Sequence, residues 1–291
     1  MGRLSYLRRT LAAQFTAARF QCPSCGSSKS ELVDRKYVVT QLRRCEHCRL
    51  LYRTPTDDPG ANAAFYENEY RQGLPANVPS DMALAELKRS NFSGTQLDHA
   101  SYIGALNQLG VPPGGRIFDF GCSWGYGSYQ LSQAGFAVTA FDVATGRRNA
   151  AKDKLGVQVV EDMEAAAREM AGQFDCFFAS HVIEHVPSPA QSFDYAMRLL
   201  KPGGLFVSFT PNGSAAFRAT SAGWSELWGE VHPNFIDDEF LDRSFRRSPR
   251  VIGSQPVIAA RIPDDTTMLR LDPLVGWELF FAARKSAATW A

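Results

Sequence analysis

The chain has 291 residues, 45% of them hydrophobic and 21% charged, with a formal net charge of +1. This length allows one sizeable globular domain plus a small one. No apolar run approaches the ~18 residues of a transmembrane helix, so the composition excludes a membrane-spanning protein of the helical kind.

Basic residues are concentrated at the N-terminus. Residues 1–53 contain eleven Lys/Arg and three Asp/Glu, whereas the remainder of the chain is net acidic. Apolar residues recur at helical spacing between Leu4 and Ala18, which predicts a basic amphipathic helix. Three explanations of the charge asymmetry remain open: mutual docking of oppositely charged modules, a basic sheath around an anionic metal cluster, or a phosphate-bearing partner.

Two C-x-x-C pairs follow this segment, with nineteen residues between them. Their spacing suits four thiolate ligands around one tetrahedral zinc ion, a set that leaves no open coordination site. The predicted ligands of a structural Zn²⁺ are Cys22, Cys25, Cys45 and Cys48. Accidental cysteine pairs and disulfides are the alternatives. Reduced thiols with a zinc site predict a cytoplasmic protein.

Turn-forming residues divide the chain into three predicted segments. Residues 1–56 form an N-terminal helix and a zinc ribbon, and residues 57–112 form a helical linker or cap. Residues 113–291 form the main domain. The predicted helices of the cap cover 61–70, 82–89 and 98–109.

From Arg116 onward, strand and helix patterns alternate. The predicted strands are 117–120, 137–141, 157–160, 174–179 and 205–210, followed by 251–260 and 277–283. The predicted helices are 125–134, 145–155, 164–171, 188–200 and 237–245. Regular alternation of this kind predicts an α/β fold with a mostly parallel sheet and helices on both faces.

Glycine and acidic residues follow the predicted strands, where ligands bind in doubly wound sheets. The turn 119–125, Asp-Phe-Gly-Cys-Ser-Trp-Gly, opens a helix whose free amides and dipole favour an anionic or polar ligand. Asp142 ends the second strand, where a carboxylate can accept both ribose hydroxyls; a helix N-cap is the alternative. Asp162 and Met163 end the third strand, where they could contact an adenine ring. Core packing is the alternative for Met163.

With these motifs in this order, residues 116–284 resemble the class I S-adenosylmethionine-dependent methyltransferases. The resemblance covers the glycine motif 119–125, the ribose acid at 141–142, the strand-four motif 175–187 and the turn 200–205. It implies a Rossmann-like, seven-stranded methyltransferase sheet with an antiparallel final strand, and S-adenosyl-L-methionine as cofactor. The implied cofactor-binding residues are Asp119, Gly121, Ser123, Gly125, Asp142, Asp162, Met163 and His181. Ser123 stands where the family usually has glycine.

The N-terminal half resembles zinc-ribbon methyltransferases of polysaccharide and sugar-modification pathways. The similarity lies in the cysteine pairs, a Thr-Pro turn and the Phe65–Tyr70 segment. It implies that Tyr66, Tyr70 and the helices up to Leu109 cap the cleft. It also implies a small-molecule acceptor that is sugar-like or nucleotide-linked.

The segment His181–His185 formally matches the H-x-x-E-H motif of inverted zinc proteases. An apolar strand precedes it and two prolines follow, so a continuous helix cannot present both histidines and the protease interpretation is rejected. Within the methyltransferase interpretation, His185 is the candidate general base and His232, beside an aromatic-rich stretch, is the reserve. The alternative for His185 is a bridge between backbone groups.

The sequence therefore predicts an S-adenosylmethionine-dependent methyltransferase that acts on a hydroxyl of a small acceptor. An RNA methyltransferase whose basic ribbon binds phosphates is the second hypothesis. A non-catalytic, zinc-dependent interaction protein is the third.

Overall fold

A computed structural model describes residues 10, 11, 13, 16–57, 77–255 and 261–286. The predicted helix at 61–70, with Tyr66 and Tyr70, lies outside the described residues, as does most of the predicted N-terminal helix. Within the described ranges, no helix has both the length and the apolar character needed to cross a bilayer.

The elements agree closely with the predicted alternation. The strands are β1 (Ser30–Lys36), β2 (Thr40–Cys45), β3 (Leu51–Thr54), β4 (Arg116–Phe120), β5 (Ala137–Phe141), β6 (Gln158–Val159), β7 (Phe174–Ser180), β8 (Leu200–Pro211), β9 (Asn234–Phe235), β10 (Arg250–Ser254), β11 (Met268–Arg270) and β12 (Glu278–Arg284). The α-helices are α1 (Asp81–Arg89), α2 (Ala100–Gln108), α3 (Tyr126–Gln133), α4 (Thr145–Leu155), α5 (Met163–Glu169), α6 (Pro189–Leu199), α7 (Ala215–Thr220) and α8 (Asp238–Ser244). Short 3₁₀ turns cover Ala17–Phe20 and Trp224–Leu227.

The central sheet has the strand order β11-β10-β12-β8-β7-β4-β5-β6. Strands β4 to β8 pair in parallel, whereas β12 is antiparallel to both β8 and β10. The predicted mostly parallel sheet with an antiparallel final strand is confirmed. The predicted number of seven strands is wrong for the described sheet, because the short β11 pairs in parallel with β10 and makes eight.

Aromatic side chains fill the layer between the sheet and one set of helices. Phe118, Phe177 and Phe206 come from three adjacent strands and are fully buried. The ring of Phe177 stacks on Phe118 at 5.6 Å and on Phe206 at 5.9 Å. Helices cover both sheet faces, so the strands read as nearly continuous apolar runs. Burying each such ring stabilises the fold by roughly 1.5–3 kcal/mol.

The cysteine-bearing segment forms a second, four-stranded sheet in the order β1-β2-β3-β9. Its fourth strand comes from the C-terminal half of the chain, since Leu51 pairs with Phe235 and Tyr52 with Asn234. Trp228 packs into the small core of this sheet beside Leu42. The ribbon sheet, which we define as β1, β2, β3 and β9, therefore combines two of the predicted segments.

Ion pairs also join the ribbon sheet to the main domain. Arg44 on β2 lies 3.0 Å from Asp237 and 2.7 Å from Glu239, and Arg49 lies 2.8 Å from Glu239. Only 5% of the Arg44 side chain and 1% of the Asp237 side chain are exposed. Burial raises the pKa of Asp237 to about 7, although Arg44 opposes that shift. These contacts favour mutual docking as the explanation of the charge asymmetry.

Candidate active site

A cavity of about 780 Å³ opens at the carboxyl ends of β4, β5 and β7, where ligands bind in doubly wound sheets. The predicted site residues that line it are Gly121, Ser123, Asp142, Met163, His181, His185 and His232. Asp119, Gly125 and Asp162 are not among its lining residues. The structure thus brings most of the predicted cofactor and catalytic residues to one cavity.

The turn after β4 requires its two glycines. Gly121 has a φ of +87°, and a Cβ there would lie 2.2 Å from a methyl group of Val182. Gly125 has a φ of +86°, and a Cβ there would lie 2.7 Å from that of Ala151. Gly125 therefore shapes the start of α3 through packing, without lining the cavity.

Ser123 fits the position where the resemblance leads one to expect glycine. It adopts a φ of +52°, in the left-handed region that side chains rarely occupy. Its backbone N–H donates to Oδ2 of Asp142 at 2.9 Å, while Oδ1 of Asp142 accepts from the N–H of Ala144 at 2.9 Å. The same carboxylate thus holds the glycine turn against the end of β5.

Asp142 faces the cavity from a nearly buried position. The residue at the N-cap of α4 is Ala144, so the helix-cap alternative for Asp142 is not observed. Burial raises the pKa of Asp142, and its backbone hydrogen bonds oppose the shift. Each carboxylate oxygen has two lone pairs, so the group can accept further hydrogen bonds from a ligand.

Two predicted cofactor residues have other partners. Asp119 is buried and accepts a 2.5 Å hydrogen bond from Oγ of Ser128, which joins β4 to α3. Burial raises the pKa of Asp119 to about 6, although the hydrogen bond from Ser128 opposes this shift.

Asp162 is the exposed N-cap of α5, and its side chain accepts a hydrogen bond from the N–H of Ala165 at 2.7 Å. The strand before it ends at Val159, earlier than predicted, so Asp162 belongs to the helix start and is not among the residues that line the cavity.

His185 and His232 meet at the far wall of the cavity, with ring centroids 4.6 Å apart. Nδ1 of His185 lies 2.8 Å from the carbonyl oxygen of Val231, and Nδ1 of His232 lies 2.8 Å from that of Leu227. These contacts assign Nδ1 as the donor in both rings, so Nε2 is the nitrogen that carries the lone pair whenever a ring is neutral. Burial lowers the pKa of His185 to about 4, although Glu184 opposes this, so the ring is neutral at pH 7.

His181 contacts two carboxylates, those of Glu184 and Glu278. Burial acts to lower its pKa, but hydrogen bonding to the carboxylates of Glu184 and Glu278 outweighs burial and raises it. Its Nε2 lies 2.6 Å from Oε1 of Glu278, which also accepts from the hydroxyl of Tyr102 at 2.8 Å. Its ring stacks on Trp277 at 5.8 Å. His181 is therefore a cation that lines the cavity.

Glu278, Tyr102 and Trp277 are residues that the sequence reasoning missed. Glu278 is fully buried, and Tyr102 and Trp277 line the cavity. A charged residue at the start of the apolar strand β12 was an available signal, because a buried carboxylate needs partners. Tyr102 carried no such signal, since its contact with Glu278 joins residues far apart in the chain.

The four cysteines of the ribbon sheet converge, with their sulfur atoms all within 4.8 Å of one another. The Sγ atoms of Cys22 and Cys48 are 3.5 Å apart, as are those of Cys25 and Cys45. Disulfide bonds would require about 2.05 Å, so that alternative is excluded. Zinc–sulfur bonds of about 2.3 Å in a tetrahedron place sulfurs about 3.8 Å apart. The cluster is compatible with a zinc ribbon.

Part of this chain is similar in sequence to known proteins. Residues 118–208 match a family model described as a methyltransferase domain. A ubiquinone biosynthesis O-methyltransferase from Xanthomonas axonopodis pv. citri is 38% identical over 119 residues, which cover 38% of this chain and 50% of that protein. The enzyme of the same name from Xylella fastidiosa is 36% identical over 120 residues, covering 38% and 48%. The chain thus spans about half the length of the curated relatives that it matches.

Among solved structures, geranyl diphosphate C-methyltransferase from Streptomyces coelicolor overlaps with this chain at a TM-score of 0.49 and 15% identity. The overlap covers 78% of this chain and 98% of that one. Residues 118–208 are similar to a methyltransferase domain, and they include strands β5, β6 and β7 of the central sheet. Strands β4, β5 and β7, which lie largely in this region, end at the cavity.

Proposed function

We propose that the protein transfers a methyl group from S-adenosylmethionine to a hydroxyl oxygen of a small acceptor. The observation that carries this proposal is one cavity lined by two chemically different groups of residues. Gly121 and Asp142 follow strands β4 and β5 and form what we call the cofactor end, whereas His185 and His232 follow β7 and precede β9 and form what we call the acceptor end. A volume of about 780 Å³ suits a cofactor together with a small acceptor.

The cofactor end has the groups that an adenosine requires. Asp142 would accept hydrogen bonds from the ribose hydroxyls, and Met163 would pack against the adenine ring. The turn 121–125 would face the methionine part of the cofactor. When bound, S-adenosylmethionine supplies an electrophilic methyl group on a sulfonium leaving group.

At the acceptor end, His185 is the proposed general base. Its ring is neutral with a lone pair on Nε2, so it can take the proton of an acceptor hydroxyl as the oxygen attacks. Glu184, whose Oε1 lies 3.9 Å from Nε2, would stabilise the resulting imidazolium. The larger part of catalysis would be alignment of the acceptor oxygen by the cavity walls.

The walls of this end favour a flat or ring-shaped polar acceptor, such as a sugar or a nucleotide-linked molecule. Trp277 and Tyr102 offer aromatic faces, and the cation His181 lies between two carboxylates. The two relatives are named as O-methyltransferases, which supports a hydroxyl as the acceptor group.

The ribbon arginines bear on the RNA hypothesis. Arg44 and Arg49 pair with acidic residues of the main domain, and Arg53 pairs with Asp57. Guanidinium groups engaged in this way contribute less to phosphate binding than a free basic patch would. The small-molecule acceptor is therefore the better supported proposal.

We further propose that the cysteine cluster holds a structural Zn²⁺ and that the ribbon sheet positions the histidine wall. The backbone N–H of Arg53 donates to the carbonyl of Pro233 at 2.7 Å, directly after His232. Asn234 also donates from its side chain to the carbonyl of Val186 at 2.7 Å. The ribbon is thus tied to the segments that carry both candidate bases.

The test is a methyl-transfer assay with S-adenosylmethionine and a panel of hydroxylated sugars, nucleotide-sugars and phenols, with products identified by mass spectrometry. His185→Gln should lower kcat by roughly 10²–10⁴-fold with little change in cofactor affinity. His232→Gln is assayed in parallel. A fully active His185→Gln protein beside an inactive His232→Gln protein would move the base to His232, and absence of product with every acceptor would count against the proposed activity.

A further inference from the structure

We propose that Glu184, His185 and His232 form a binding site for one divalent transition-metal ion, distinct from the cysteine cluster. A carboxylate oxygen of Glu184 and one ring nitrogen of each histidine lie within 4.8 Å of one another. The inference rests on the proposed function, because the three residues line the acceptor end of the same cavity. Metal binding itself can be measured without any methyl transfer.

The first argument is an unsatisfied oxygen. Only 1% of the Glu184 side chain is exposed, and its Oε2 accepts from the hydroxyl of Thr210 at 2.9 Å. Among the described residues, Oε1 has no hydrogen-bond donor in good geometry. The nearest nitrogens are Nδ1 of His181 at 3.4 Å and Nε2 of His185 at 3.9 Å. The cation His181 offsets part of the charge of this oxygen, but its position leaves Oε1 with a buried lone pair that a metal ion would use.

The second argument is the orientation of the two histidines. Each ring donates from Nδ1 to a backbone carbonyl oxygen at 2.8 Å. Metal-binding histidines characteristically use one ring nitrogen in this way, which fixes the ring and directs the other nitrogen to the ion. Both Nε2 atoms therefore carry the lone pairs that coordination requires.

The third argument is that the backbone already holds the ligands together. The N–H of Asn234, two residues after His232, donates to the carbonyl oxygen of Glu184 at 3.1 Å. The Nδ1 contact of His185 to Val231 links the same two segments. Metal–ligand bonds of about 2.1 Å need ligand atoms closer together than they are now, which small side-chain rotations would supply.

Two imidazoles and one carboxylate identify the class of ion. This donor set suits Mn²⁺, Fe²⁺, Co²⁺ or Zn²⁺ and leaves coordination positions open. An ion there would bind the acceptor hydroxyl and lower its pKa, with the proton passing to water at the cavity mouth. In the metal-bound protein His185 would act as a ligand, and its role as the general base would apply to the metal-free protein.

The experiment uses the full chain with its cysteine site loaded with zinc, titrated with Mn²⁺ and followed by electron paramagnetic resonance. Thiolates favour zinc, so Mn²⁺ reports on oxygen and nitrogen ligands. We expect one Mn²⁺ site in the wild type, weakened at least about tenfold in Glu184→Gln and in His232→Gln. The matched control is His47→Gln, which removes an exposed histidine of the ribbon and should leave Mn²⁺ binding unchanged.

A readout on the wild type guards against variants that do not fold. Bound Mn²⁺ should broaden the imidazole NMR signals of His185 and His232 at lower Mn²⁺ concentrations than that of His47. Absence of Mn²⁺ binding, or binding that survives both substitutions in folded protein, would overturn the metal site. An active enzyme that binds no Mn²⁺, Co²⁺ or Zn²⁺ at these residues would leave the proposed methyl transfer intact, with His185 as its base.

Discussion

The central sheet and the ribbon sheet are stabilised in different ways. Strands of the central sheet bury side chains on both faces, as β12 and β8 show over most of their length. The ribbon is buried unevenly: β3 is buried along its length, but no residue of β1 is buried, and Val38 at its hairpin tip is 82% exposed. The central sheet can be held by apolar burial, whereas the ribbon needs its cysteine cluster, buried ion pairs and a strand from the main domain. The predictions below test that contrast.

The largest effect is expected at the cysteine cluster. Wild-type protein should contain one zinc per chain that the four cysteines bind, and Cys45→Ser should lose it. Apparent zinc-binding free energies of roughly 10–16 kcal/mol are folding free energy for small metal modules, so the ribbon should unfold while the central sheet persists. Metal analysis with amide hydrogen exchange resolves the two regions, and Cys176→Ala in the central core is the control that keeps zinc. If the amides of the ribbon sheet stay protected from exchange in zinc-free protein, the ribbon does not depend on its cysteine cluster and the proposed difference between the two sheets is wrong.

The next effect concerns the ion pair between the two regions. Arg44→Met leaves buried Asp237 without its cation, which should cost roughly 3–5 kcal/mol of unfolding free energy above pH 7, where the carboxyl group is ionised. Urea denaturation measures this cost. The double variant Arg44→Met/Asp237→Asn should recover part of the loss, because the uncompensated charge is gone. Equal stability of Arg44→Met and wild type would show that the pair is not coupled to folding.

Within the central sheet, Asp119 gives a pH-dependent prediction. Its folded pKa of about 6 lies above the unfolded value, so its favourable contribution is present below about pH 4 and is lost as pH rises through 6. At neutral pH the buried carboxylate therefore costs about 3 kcal/mol. Asp119→Asn keeps an acceptor for Ser128 and should be stabilised relative to wild type at pH 7.5 but not at pH 4. Thermal unfolding at both pH values checks this, and parallel pH profiles would refute it.

The smallest effect is on cofactor affinity. Asp142→Ala should weaken S-adenosylmethionine binding by about 2–3 kcal/mol, because it removes the proposed ribose partner together with the acceptor for the Ser123 N–H. Titration calorimetry measures the change. Asp162→Ala is the matched control: it removes an exposed helix cap and should leave affinity unchanged. If Asp162→Ala weakens cofactor binding as much as Asp142→Ala does, the result would support the adenine contact that the sequence predicts for Asp162.

Much of the main domain was predictable because its signals are local. The bounds of β5 and α4 agree with the predicted strand 137–141 and helix 145–155. Such elements carry apolar periodicity over several residues. The two-residue strand β9 and the three-residue β11 have too few residues for a pattern, and only pairing with distant strands defines them. The pairing of such short segments with distant strands cannot be predicted from a single sequence.

The candidate site also contains residues that local signals predict and residues whose positions depend on distant contacts. Gly121 and Asp142 were predictable because they follow strands of known order along the chain. The meeting of His185 with His232 was not, since it depends on the path of residues 212–232 and on the hydrogen bond from Asn234 to Glu184. The helix cap formed by Asp162 was not predicted, because the exact end of a short strand decides which residue begins the next helix.

The shared strand β9 has a consequence for protein engineering and for the evolution of such chains by recombination. A ribbon exchanged at residue 56 would leave its fourth strand and the partners of Arg44 behind. The smallest exchangeable unit is therefore discontinuous, comprising residues 17–57 together with residues 224–239, which include Trp228, β9 and Glu239. That second piece also carries His232, so a ribbon transplanted as a folded unit brings part of the acceptor wall with it.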